Sequence, residues 1–190
     1  SDGTPTYSQT GHFAGGTAIR LGRAFGVLSR QSNRFLAPAG NIGGHTVSMW
    51  VKPDGGGSKQ GYYFSYYSGS TSNRAYLFSD SSSIRLVDIR SNVTMSANVL
   101  YSTLTGLDNP INIYDGAYHY FVCVRYYDGF GRHLKFYIDG QLVATINNTA
   151  DIYDHSLDTT IITIAGQNAD GASGAEGDYD EIVISLVPWT

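Results

Sequence analysis

Residues 118–146 read YHYFVCVRYYDGFGRHLKFYIDGQLVATI. Three runs in it, 118–127, 132–138 and 141–146, are rich in apolar, β-branched and aromatic residues, and they are cut by Asp128-Gly129 and Asp139-Gly140. Short runs of this kind with a period of two mark strands with one buried face. An Asp-Gly pair between two strands is a hairpin signal, because both central positions of a type I′ turn need positive φ. The stretch therefore predicts consecutive antiparallel strands.

The pattern continues through the rest of the chain. HTVSMWV (45–51) ends at Pro53-Asp54, and GYYFSYYS (61–68) ends at Gly69. RAYLFS (74–79) and SIRLVDIR (83–90) flank a short polar turn, and TIITIAG (160–166) and EIVISLV (181–187) close the chain. No segment keeps a 3.6-residue period with caps. About ten to thirteen short strands joined by frequent turns predict an all-β fold, an antiparallel two-sheet β-sandwich. Loops are expected at 54–60, 98–116, 147–159 and 166–178, with no internal repeat and no second domain.

At 190 residues the chain fits one domain. A chain of that size buries roughly 70% of the surface it exposes when unfolded. The 23 Gly and 15 Tyr, against 2 Met, suit strands and turns. A net charge of −4 and 15% charged residues lack the basic footprint of a nucleic-acid binder. The lone Cys123 sits in FVCV and reads as a small core hydrophobe. No run of 18 apolar residues is present to span a membrane. Charges are uneven: Arg20, Arg23, Arg30 and Arg34 stand against Asp2 before residue 40, while 151–181 holds eight acids and no Lys or Arg. Either the first and last strands lie side by side and pair internally, or the beginning of one subunit meets the end of another.

Four segments now resemble a known family. TVSMWVKPD (46–54), DGAYHYFVCVRYYDG (115–129), LKFYIDGQLVAT (134–145), and TIAG followed by GDYDEIVIS (163–166 and 177–185) look like successive signatures of a laminin-G-like, concanavalin-A-like jelly roll. The resemblance covers roughly residues 16–187 and implies two curved antiparallel sheets packed face to face. It leaves residues 1–15 as an N-terminal extension, open to being an exchanged strand, before a sandwich domain at 16–190. The family includes lectins, adhesion modules, pentraxin-like binders and, more distantly, glucanases and lyases, so fold does not choose among functions.

In GYYFSYYS, alternation assigns Tyr62, Phe64 and Tyr66 to one face and Tyr63, Ser65 and Tyr67 to the other. Phe64 has no polar handle, so its face is expected to be core. Tyr63 and Tyr67 then face outward as ligand-binding candidates, with Tyr126 and Tyr127 extending the patch. Exposed tyrosines suit sugar rings and protein partners alike. Asp178 and Asp180 lie two apart and share a strand face, a candidate calcium site of the kind hard cations take from carboxylates. By resemblance, the aspartate before the terminal Glu is a plausible structural calcium ligand. EGDYDE places Glu176 and Glu181 at the E-x-D-x-x-E spacing of laminarinase-type glucanases, where two carboxylates flank a sugar bond. Asn92-Val93-Thr94 and Asn147-Asn148-Thr149 are glycosylation sequons at Asn92 and Asn147. None of the usual nucleophile, Walker or zincin motifs occurs.

The expected function is a non-catalytic extracellular binding or adhesion module recognising glycans. The alternative is a filament or surface-layer subunit whose segment TPTYSQTGHFAGG (4–16) adds a strand to a neighbouring copy. A glycoside hydrolase using Glu176 and Glu181 is the minor alternative.

Overall fold

The computed structural model describes residues 6–11, 17–21, 28–32, 43–55, 60–67, 73–90, 93–128, 130–148, 160–166, 173–185 and 188–189. Its elements are β1 (Thr6–Thr10), β2 (Thr17–Leu21), β3 (Leu28–Ser32), β4 (Gly43–Pro53), β5 (Gly61–Tyr67), β6 (Asn73–Ser79), β7 (Ser83–Arg90) and β8 (Val93–Leu100), then α1 (Tyr101–Thr105), β9 (His119–Tyr127), β10 (Arg132–Ile138), β11 (Gln141–Asn148), β12 (Thr160–Ile164) and β13 (Gly177–Ser185). One sheet has seven strands in the order β1-β2-β13-β4-β9-β10-β11, and the other has six in the order β3-β12-β5-β6-β7-β8. All the ladders are antiparallel. The two-sheet sandwich read from the sequence is the fold.

The opening stretch forms β9, β10 and β11, consecutive neighbours in the seven-stranded sheet. Asp139 and Gly140 have φ of 52° and 79°, as a type I′ turn requires. Inward residues of β4 (Val47, Met49, Val51), β9 (Phe121, Cys123) and β10 (Leu134, Phe136, Ile138) meet Leu77, Ile84 and Leu86 of the second sheet. Cys123 is part of this core, and its burial pushes the thiol pKa well above the ordinary value.

GYYFSYYS folds differently from its alternation. Between β5 and β6 the register shifts: Tyr62 lies opposite Phe78, but Phe64 lies opposite Leu77. Tyr63 is therefore the extra residue of a bulge. Tyr63 and Phe64 both enter the core, at 1% and 2% exposure. Tyr62 stays outside, its ring against Tyr76 and Phe78 at centroid distances of 5.2 and 4.8 Å. The expected outward Tyr63 and inward Tyr62 are thus corrected. One inserted residue reverses side-chain parity upstream of it. Tyr67 pairs with Ile161 and Arg74 along the backbone, and its side chain is outside the described residues.

Two other expectations change. The loop foreseen at 98–116 begins with the end of β8 and the single helical turn α1. The last strand starts at Gly177, not 181, because Tyr179 is core while its neighbours Asp178 and Asp180 face the other way. Residues 6–10 of the N-terminal extension form an edge strand on this chain's own β2, so an exchange with a neighbour would first have to break that ladder. Arg20 on β2 lies directly opposite Asp178 on β13, so here the early base and the late acid pair internally. Of the other early bases, Arg23 and Arg34 lie outside the described residues, and so does the side chain of Arg30.

Candidate binding surface

Outward residues of the central strands of the seven-stranded sheet form a broad, partly apolar face. Trp50 of β4 lies opposite Tyr120 of β9, with rings 4.9 Å apart and tilted by 32°. Both are half-buried. Below them come the buried Val122 and, further out, Tyr137, Leu142 and Val183, the last two well exposed. The C-terminal tail reaches this face, where the Trp189 N–H donates to Thr46 Oγ1 at 2.9 Å.

The Trp50–Tyr120 pair is held from both sides. On one side β13 bulges between Asp180, opposite Trp50, and Val183, opposite Ser48. Glu181 in this bulge has φ of 45°, a strained value for a residue with a side chain. Its N–H is taken by the Asp180 carboxylate at 2.9 Å. On the other side the Asp139 carboxylate accepts the Tyr120 N–H at 2.8 Å. Its second oxygen is 2.7 Å from His119 Nδ1, and Asp115 is 3.1 Å from His119 Nε2.

A charge cluster lies beside these rings. Asp178 is 2% exposed, with Oδ1 3.0 Å from Arg20 and Oδ2 2.9 Å from Lys52. Arg20 also reaches Asp54 at 2.6 Å, and Lys52 sits over the Tyr118 ring. Burial, with the charges of Asp178 and Asp180, pushes the Tyr118 hydroxyl up to about 12. Both Asp178 oxygens are held by cations, the geometry of an ion-pair network. Among the described residues no group of three or more His, Cys, Asp or Glu is placed to hold a metal.

Carboxylates at both nitrogens of His119 favour the imidazolium, which donates from both. Burial opposes the charge, but the bonds and charges of Asp139 and Asp115 outweigh it and raise the His119 pKa above its ordinary 6.5. A raised folded-state value adds stability that is complete below the unfolded pKa and is lost as pH rises through the folded one. Urea stability is therefore expected to fall above pH 6.5, and His119→Gln should flatten that slope. An unchanged slope in the variant would remove His119 as its source.

The other predicted residues separate. Tyr126 is on this outer face, stacked on His133 at 4.6 Å with Lys135 above its ring. Tyr127 is 8% exposed and is corrected to a buried residue, since it falls on the Phe121–Cys123 side of β9. The single patch expected to join Tyr63, Tyr67, Tyr126 and Tyr127 does not form, because β5 and β9 belong to different sheets. Glu176 lines a small polar cleft with Asp54, Gln60, Tyr63 and Tyr114, and exposed Glu181 is not part of it. Asn147 is exposed on β11, its Oδ1 2.7 Å from His133 Nδ1, and Asn92 lies outside the described residues. Trp50, Tyr120 and Tyr137 escaped the sequence reading, although Trp50 and Tyr120 sit at odd spacing from the core residues of their own strands, Val47, Met49 and Val51 on β4 and Phe121 and Cys123 on β9. Their signal was a large aromatic ring at an outward position.

None of the curated proteins matches this sequence. Among solved structures, the binding domain of Paraclostridial Mosquitocidal Protein 1 superposes with a TM-score of 0.67 at 12% identity, covering 98% of this chain and 43% of that one. Mouse laminin alpha1 domains LG4-5 give 0.62 at 12% identity, over 94% of this chain and 44% of that one. The Ruminococcus gnavus IT-sialidase CBM40, in a structure with alpha2,6 sialyllactose bound, gives 0.53 at 13% identity over 80% of each. The chain thus spans less than half the length of the first two. A family described as the concanavalin A-like lectin/glucanases superfamily matches residues 29–187. With the sandwich topology and that match over most of its length, the chain belongs to the concanavalin A-like lectin/glucanase superfamily.

Proposed function

We propose that the chain is a non-catalytic extracellular module that binds glycans on the outer face of its seven-stranded sheet. The observation that carries this reading is the half-buried Trp50–Tyr120 pair, set between the β13 bulge and the Asp139 turn. Aromatic faces meet sugar C–H faces, and nearby Asp180 and the Tyr120 hydroxyl supply hydrogen bonds to sugar oxygens. Bulges recur beside functional sites, where they re-aim side chains. The superposed toxin, laminin and carbohydrate-binding domains support a binding role, and the CBM40 structure holds a sialylated sugar. Glu176 lines the polar cleft and Glu181 does not, which favours binding over hydrolysis.

A glycan array identifies the ligand, and titration of the best hit measures it. Trp50→Ala and Tyr120→Ala are each expected to weaken binding about tenfold, which is about 1.4 kcal/mol. Circular dichroism should stay that of the parent. Folded variants that bind at full strength would move the site elsewhere.

A further inference from the structure

The second sheet carries a surface of opposite character. Ala75, Leu77, Ile84 and Leu86 point into the core, so Arg74, Tyr76 and Phe78 of β6 and Arg85 and Val87 of β7 lie on the outer face. The β5 bulge adds Tyr62 to it, edge-on to Tyr76. Arg74 Cζ stands 5.5 Å above the Tyr76 ring, and its charge acts on the Tyr62 hydroxyl. Arg85 is spent on Asp80 in the β6–β7 turn, through a 2.5 Å ion pair. Arg74 has no carboxylate partner among the described residues, and its Nε is buried without a hydrogen-bond partner. Asp88, the acid of β7, points into the core. On a chain of net charge −4, this face therefore presents rings and a cation with no acid among its described outward positions on β5–β8.

We propose that the outer face of the six-stranded sheet is a second site, for a polysaccharide bearing carboxylate or sulfate groups, with Arg74 as its anion contact. Arg74, Tyr76 and Phe78 are successive outward positions, spanning about 13 Å along β6. That is a track for a chain of sugars, whose faces meet the rings and whose anion meets the guanidinium fork. An acidic peptide strand would instead seek free backbone groups at a sheet edge, and β6 has a neighbour on each side. The site lies on the opposite side of the sandwich from Trp50 and does not depend on it.

Titrations at low salt with dextran sulfate, carboxymethyl dextran, neutral dextran and poly-glutamate test the proposal. One or both anionic dextrans should bind, which of the two distinguishing sulfate from carboxylate, and salt should weaken the binding. Arg74→Ala should weaken it about tenfold. Unaltered binding by folded Arg74→Ala, equal binding of neutral dextran, or equal binding of poly-glutamate would each overturn the assignment. Should the variant not fold, phenylglyoxal labelling of the parent decides: the bound dextran must shield Arg74, and unshielded Arg74 overturns the site.

Discussion

Asp88→Ala is expected to cost about 3–5 kcal/mol of stability, the range for removing one partner of a buried ion pair. Asp88 is fully buried on β7, in the six-stranded sheet. Its Oδ2 lies 2.7 Å from Arg125 Nε on β9 and 3.4 Å from Arg132 Nη1 on β10, both in the seven-stranded sheet. Arg132 is itself fully buried, and Arg125 is 6% exposed. The carboxylate thus ties the two sheets together through charge. Removing it leaves two guanidinium groups inside without the acid they share. Domains of this kind are stable by only about 5–15 kcal/mol, so the loss is a large share of the total. Urea denaturation of Asp88→Ala measures it. Replacing all three residues by apolar ones of similar volume should recover much of the loss, since buried ion pairs repay desolvation poorly. A cost below about 1 kcal/mol for Asp88→Ala would mean that water or relaxation already screens the cluster.

That cluster also marks where the sequence is legible and where it is not. Parity alone places Arg125 with Phe121 and Cys123, and Asp88 with Ile84 and Leu86. The habit of sending charges to water argues against both placements, and no local signal pairs the two, which stand 37 residues apart. Contacts of that reach depend on how two sheets stack. By contrast, the β9–β10–β11 meander was legible because each strand is bounded by its own turn chemistry, and Asp139-Gly140 adopts the positive φ that the dipeptide demands. The late start of the last strand in the reading has a similar cause. Asp178 closes the loop expected at 166–178, yet it is held by Arg20 from β2 and Lys52 from β4, and those partners become visible only once β13 lies between them. The binding face follows the same logic. Trp50 and Tyr120 are distant in sequence and meet only because β4 pairs with β9.

Tyr63→Ala separates the structure from the alternation rule most sharply. Alternation puts Tyr63 outside, so its loss would remove a ligand contact and spare the fold. The bulge puts it inside, 1% exposed, edge-on to Phe121 at 5.2 Å. Burial, then the neighbouring tyrosines, push its hydroxyl pKa well above the ordinary 10, while a bond to Ser79 works the other way. Deleting such a ring is expected to cost about 3–5 kcal/mol, from lost burial and the cavity left behind. Tyr63→Phe keeps the ring and should cost only about 1 kcal/mol, the net worth of one hydrogen bond. Trp50→Ala, at a half-buried outer position, should cost less stability than Tyr63→Ala and more affinity. Thermal and urea melts of the three variants, beside titration with the best array ligand, give each variant two coordinates. A Tyr63→Ala protein that melts like the parent but has lost its ligand would return Tyr63 to the surface and remove the β5 bulge. A Tyr63→Ala protein that unfolds early, beside a Trp50→Ala protein that folds and fails to bind, would fix the binding face to the other sheet.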